Sequence, residues 1–257
     1  MSENALKIYQ TFHKPFPHRK NGWLTPIGVN GYHQEGFAKD SDGDNIAHLN
    51  PYYCELTAQY WAWKNCNAEK VGFYHYRRYL NPTLDNTWKG DRLFSVPMND
   101  NILDYLTSDH QKQSIESLLD IFDVVIPAQT NITIKEQDQR CTSISNQYKI
   151  YHVEAHWNGF IKRLEQNFPT HQHLVKYFDI SNQVTAYNMF ATRIAIFESY
   201  CKDLFSTLDP IFDEFGKDYN EYNRRYIGFL AERFLWFWIK KERLTFVEVP
   251  MLMLDTN

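Results

Sequence analysis

Leu6 and Ile8 alternate with Lys7 over residues 5–11, and His13-Lys14-Pro15 ends the alternation, so a first strand is predicted there. Residues 13–50 show no apolar period and are rich in Gly, Pro, Asn, Asp and His, which predicts a long functional loop region. Asn50-Pro51 is a helix start, with Asn as cap and Pro at the first helical position, and the helix is expected to run over 50–65. On it Tyr53, Leu56, Tyr60 and Trp63 recur at spacings of three and four, a stripe suited to a core. A short strand is predicted over 71–76, ending in Arg77-Arg78. A helix over 114–121 leads into an apolar strand at 122–127, and 128–147 is expected to be polar loop. Helices at 153–166, 194–208 and 221–241 and strands at 185–190 and 244–249 complete the pattern. Strands alternating with helices predict an α/β sandwich around a mostly parallel sheet. No Gly/Ser linker divides the 257 residues, so one domain is expected over 1–257.

Composition narrows the function. Phe, Tyr and Trp make up 16% of the chain; flat rings with polar tips suit sugar or base stacking and equally suit packing. The net charge of −4, without a long Lys/Arg run, argues against nucleic acid as a partner. The longest apolar run, 234–239, is far short of the ~20 residues of a spanning helix. Met1-Ser2-Glu3-Asn4 lacks the regions of a signal peptide, and Cys54, Cys66, Cys141 and Cys201 are scattered, so a cytoplasmic protein with free thiols is expected. No Walker loop, G-x-G-x-x-G or G-x-S-x-G is present, which removes P-loop enzymes, dinucleotide dehydrogenases and serine hydrolases.

Four groups could carry chemistry. His152 and His156 have the i, i+4 spacing of metal ligands but lack the glutamate of H-E-x-x-H, and two polar-face histidines is the plainer reading. Asp40-Ser41-Asp42-Gly43-Asp44-Asn45 fails the calcium-loop pattern at its sixth and twelfth positions. It is either a turn or a binder of sugar hydroxyls. His75-Tyr76-Arg77-Arg78 ends a strand, where open α/β sheets hold ligands. Strand parity puts His75 with Arg77 and Tyr76 with Arg78, so one arginine is expected in the cleft and the other on a scaffold acid. Glu232 lies on an apolar helix face opened by Gly228, where desolvation would raise its pKa for proton abstraction. A structural pairing with Arg224, Arg225 or Arg77 is equally open.

Several segments carry a resemblance: Lys7-Ile8-Tyr9 with Thr11, His13, Lys14 and Pro15; Gly43-Asp44-Asn45-Ile46; Asn50 to Thr57 with Tyr60 to Asn65; Val71-Gly72 with His75 to Tyr79; Tyr187-Asn188-Met189-Phe190; and Gly228 to Arg233. Together they resemble a bacterial family, long catalogued as a domain of unknown function, from capsule, exopolysaccharide and O-antigen gene clusters. The match runs from Lys7 to about Pro250, and is weak over 128–146. The resemblance implies a GT-A type fold and galactofuranosyl transfer, here expected to be inverting and to use UDP-galactofuranose. Other nucleotide sugars and a non-catalytic glycan-binding module are the alternatives. Glu232 is then the expected base; Arg77, Arg78 and His75 would neutralise the diphosphate; Tyr76 is expected among the substrate-binding residues; Thr11, His13, Asp44 and Asn45 would line the donor cleft; Tyr187 and Asn188 would position a sugar. GT-A enzymes usually carry an Asp-x-Asp for a metal where this chain has the arginines, so no cofactor is expected, with Asp40, Asp42 and Asp44 as fallback metal ligands. The expected partners are a UDP-sugar and a glycan or lipid-linked glycan acceptor, with peripheral contact at the cytoplasmic face of the inner membrane.

Overall fold

Apolar residues on both sides of each strand call for helices on both faces of the sheet, and that is the arrangement found. The computed structural model describes residues 5–83, 93–134, 139–140, 143–185, 187–217 and 219–255; residues 1–4, Cys141 and parts of the expected 128–147 loop lie outside the described residues. The strands are β1 (Leu6–Phe12), β2 (Leu24–Gly28), β3 (Ala38–Lys39), β4 (Lys70–His75), β5 (Arg78–Leu80), β6 (Leu93–Pro97), β7 (Val124–Pro127), β8 (Thr130–Asn131), β9 (Thr133–Ile134), β10 (Gln139–Arg140), β11 (Gln183–Val184), β12 (Phe190–Arg193), β13 (Phe246–Val249) and β14 (Met251–Asp255). The helices are α1 (Asn50–Tyr53), α2 (Leu56–Asn65), α3 (Asp100–Leu106), α4 (Asp109–Ile121), α5 (Ile144–Tyr151), α6 (Glu154–Asn167), α7 (Gln172–Ile180), α8 (Ile194–Phe215) and α9 (Tyr226–Lys241).

The central sheet runs β13-β7-β12-β4-β1-β2-β3, with β5, β14 and β6 extending it. Pairs β1/β2, β1/β4, β2/β3 and β7/β13 are parallel, whereas β12 lies antiparallel between β4 and β7. The sheet is thus mixed and mostly parallel, as expected. Alternation sorts the core: Val71, Phe73, Val124, Ile126 and Phe190 pack under α5 to α9, while Ile8, Tyr74, Val125 and Ala191 meet α3 and α4 on the other face. Gly72 sits where three strands converge, and a Cβ there would lie 2.8 Å from the carbonyl oxygen of Phe190 and would strike Ile8.

Four expectations change. The 13–50 region holds the buried parallel strand β2, which Pro26 and Gly28 disguise. The 50–65 helix is two helices, because Cys54 turns the backbone through φ 53°, and α2 buries Thr57, Ala58 and Ala62 while Tyr60 and Trp63 stay half-buried. The 185–190 strand begins only at Phe190, since Tyr187 and Asn188 have φ of 79° and 49°. Helix α8 continues through Pro210 to Phe215, carried by the buried side chains Leu208 and Ile211.

Candidate functional site

A cleft of about 410 Å³ opens at the carboxyl ends of β1 and β4. Open α/β sheets hold ligands at this edge, where the strand order reverses. Thr11 and His13 enter from β1, and Val29 and Asn30 follow β2. The segment His75 to Arg78 forms one wall, Asn50, Pro51, Cys54 and Glu55 the floor of α1 and α2, and Glu221, Arg224 and Arg225 the opposite wall before α9. Four arginines therefore line one cavity, one of them, Arg224, 3.9 Å from Glu221 in the same lining.

The His75–Arg78 segment is a hairpin rather than a continuing strand. Tyr76 and Arg77 make the turn, and His75 pairs directly with Arg78. Directly opposed residues share a face, so His75 goes with Arg78 and the parity expectation is corrected. Both arginines line the cleft, rather than one alone, and they differ in their second partners. Arg77 lies 3.5 Å from Asp255 at the end of β14, and the Arg78 guanidinium lies 4.7 Å above the Tyr187 ring. Burial, and then the Arg78 charge, push His75 down to about pKa 4, so it is neutral near pH 7 and adds no counter-charge, contrary to expectation. Its Nε2 donates to the Tyr187 carbonyl at 2.6 Å. Tyr76 is buried against Phe12, Phe16 and His13 and serves as wall. The Thr11 hydroxyl donates to the Tyr74 carbonyl at 3.2 Å. Burial, then Lys14 and His75, lower the His13 pKa.

Tyr187 and Asn188, expected to position a sugar, are not among the cleft-lining residues and sit behind the wall formed by His75, Arg78 and Glu55. Because β12 is antiparallel, it enters the sheet at the edge where β4 ends. The Tyr187 N–H donates to Glu232 at 3.2 Å. Asn188 Nδ2 donates to Glu55 at 2.7 Å and to the Gly228 carbonyl at 3.2 Å, while Gln59 donates to the Asn188 carbonyl at 3.0 Å. Asn tolerates left-handed backbone through its short polar side chain. The same conformation costs tyrosine about 1–3 kcal/mol, and the surrounding hydrogen bonds hold it.

Two carboxylates meet this junction. Glu232 is half-buried, and Arg233 Nη1 donates to its Oε2 at 2.8 Å. Arg233 itself is buried and also donates to Phe229 and Gln147. Burial raises the Glu232 pKa, while Arg233 opposes the rise. Glu232 is not among the cleft-lining residues. Gly228 does not open a pocket beside it: a Cβ would lie 3.1 Å from Cys54 Sγ, so the glycine lets α9 close on α1. Glu55 does line the cleft, and burial raises its pKa while Asn188, Arg225 and Arg78 pull it down. The sequence pattern assigns Glu55 no role, although it stands within the Asn50 to Thr57 segment, and Arg225 is expected only as a scaffold partner.

Asp44 and Asn45 do not line the cleft, which corrects their assignment. Their turn is docked on α2: the Thr57 hydroxyl donates to buried Asp40 at 2.6 Å, Tyr60 donates to Asp44 at 3.3 Å, and Asn45 Nδ2 donates to the Ser41 and Gly43 carbonyls at 2.9 Å. Among the described residues, no three His, Cys, Asp or Glu side chains gather in a way that could hold a metal ion. His156 is fully buried with its ring 4.1 Å from that of Tyr226, and His152 packs between Tyr222 and Phe229. Among the described residues, no helix is long and apolar enough to cross a membrane.

The apo structure of the bifunctional glycosyltransferase WbbM is similar to this chain, at 29% sequence identity and a TM-score of 0.85. The similarity covers 98% of this chain and 46% of that one, so the chain spans about half the length of WbbM. No curated protein matches in sequence. Residues 7–243 match the model of a family described as a domain of unknown function, DUF4422. The chain belongs to the DUF4422 family.

Proposed function

We propose that the chain is an inverting glycosyltransferase that moves galactofuranose from UDP-galactofuranose onto a growing cell-surface polysaccharide, a capsule, exopolysaccharide or O-antigen. The observation that carries this reading is the cleft itself. Arg77 and Arg78 border it on one side and Arg224 and Arg225 on the other, at the carboxyl edge of the sheet. Guanidiniums bind phosphate oxygens in bidentate fashion, and set around a departing diphosphate they stabilise the charge that develops on it. The likeness to a glycosyltransferase over nearly the whole chain supports the same reading. Thr11, His13 and Asn30 line the same cleft and would meet the nucleoside. In an inverting reaction the acceptor hydroxyl attacks the anomeric carbon opposite the diphosphate while a carboxylate takes its proton.

With the arginines as counter-charge, the transfer proceeds without a divalent metal. The acceptor is a glycan, free or lipid-linked, met at the cytoplasmic face of the inner membrane. The test is a panel of UDP-sugars incubated with a synthetic lipid-linked acceptor, reading UDP release. Release with UDP-galactofuranose alone is the expected result. Release with a pyranose donor reassigns the sugar, and glycan binding without release from any donor overturns the enzyme reading.

A further inference from the structure

Two carboxylates approach the Tyr187–Asn188 junction, but they are held differently. Both oxygens of Glu232 are engaged, Oε1 by the Tyr187 N–H at 3.2 Å and Oε2 by Arg233 at 2.8 Å. Among the described residues, Glu55 receives one side-chain hydrogen bond, from Asn188 Nδ2 to Oε1 at 2.7 Å. Glu55 borders the cavity in company with Arg78 and Arg225; Glu232 does not. Glu55 sits where α1 breaks into α2, at the turn forced by Cys54, and its side chain does not cap α2. The backbone thus fixes its position, and the one side chain among the described residues that donates to it, Asn188, engages Oε1.

We infer that Glu55 takes the proton from the acceptor hydroxyl, and that Glu232 is a positioning residue that holds the Tyr187–Asn188 backbone. This rests on the transferase reading above. In the step, the acceptor O–H proton passes to Glu55 and the acceptor oxygen bonds to the anomeric carbon. The bond from that carbon to the diphosphate oxygen breaks, and the diphosphate leaves with the electron pair toward Arg78 and Arg225. Burial among apolar helices raises the carboxylate's affinity for the proton, which suits a base working near neutral pH.

The experiment compares wild type, Glu55→Gln and Glu232→Gln for UDP binding by calorimetry and for kcat across pH. Glu55→Gln keeps the acceptor for Asn188 and removes the base. Its kcat should fall by ~10²–10⁴-fold, with UDP affinity within about threefold of wild type and the acid limb of the profile gone. Glu232→Gln should lower kcat by about tenfold through a displaced Asn188, and keep the acid limb. A Glu55→Gln enzyme that retains most of its turnover, or loss of the acid limb in Glu232→Gln instead, overturns the assignment. If Glu55→Gln does not fold, Glu55→Asp decides: the acid limb should move, and an unmoved limb counts against Glu55. Failure of the transferase reading looks different, because wild type would then neither bind UDP nor release it.

Discussion

His75 stands directly opposite Arg78 across the Tyr76-Arg77 turn, and this pairing separates the two arginines. Both line the cleft, but Arg77 has the Asp255 carboxylate 3.5 Å away, while Arg78 is held over the Tyr187 ring. Arg78→Ala should therefore weaken UDP binding more than Arg77→Ala. A charge-assisted contact to phosphate in a half-buried site is worth about 1.5–3 kcal/mol, or roughly tenfold and more in affinity. Calorimetry with UDP on both variants checks the order; equal affinities for wild type and Arg78→Ala would remove Arg78 from the diphosphate site.

Activity should survive EDTA and respond little to added Mn²⁺ or Mg²⁺. Asp40, the buried member of the acidic turn, is committed to Thr57, and Asp44 to Tyr60. UDP release measured before and after chelation checks this. Complete loss that Mn²⁺ restores would return the diphosphate to a metal.

Gly72→Ala should destabilise the fold by about 1–3 kcal/mol, the usual cost of adding a methyl to a packed core. The new methyl would press on the Phe190 carbonyl and Ile8, with Ala191 3.0 Å away. Since β4 ends in His75 three residues later, the same variant should weaken UDP binding. Urea denaturation and calorimetry read the two effects; an unchanged midpoint would mean the three strands can part at no cost.

His156 links stability to acid. Burial lowers its pKa from the ordinary 6.5 to about 4, so the unfolded chain takes up the proton first as pH falls. The neutral ring's contribution is full above about pH 6.5 and is lost progressively toward pH 4, at about 1.4 kcal/mol per pH unit. His156→Phe keeps an aromatic ring beside Tyr226 and removes the titration. Between pH 6.5 and 5 it should lose about 2 kcal/mol less stability than wild type. Parallel losses in urea midpoints would show that His156 does not titrate in this window.

Legibility followed the range of the interactions. Strands β1, β4 and β7 and helices α4, α6, α8 and α9 announce themselves because each buries a regular face. Strand β2 hides behind Pro26, and β14 follows directly on Pro250, beyond the last strand that the pattern predicts, and pairs with β5 and β6. Arg77 and Arg78 stand out in the sequence because they follow an apolar strand, whereas Thr11 and His13 enter only through the family resemblance. Glu55 and Arg225 do not stand out, because α1 and the turn before α9 are far apart in sequence and meet only through tertiary packing. Asp44 and Asn45 look like part of a binding loop for the same reason: the docking of Asp44 on Tyr60 and Asn65 of α2, and the bond from Ala47 N–H to Asn45 Oδ1, appear only in the fold. No local pattern announces the left-handed backbone at Cys54 and Tyr187, which non-glycine residues adopt only under tertiary constraint.

The antiparallel course of β12 makes the two ends of the sheet unequal under insertion and deletion. At the end where β1 and β4 begin, connecting segments can change length without moving a cleft residue. At the other end, Tyr187 and Asn188 stand directly before β12, which begins at Phe190, and Asn188 is tied to Glu55. One residue gained or lost there would shift Asn188 against Glu55, and the length of this passage is therefore under tighter constraint than its composition.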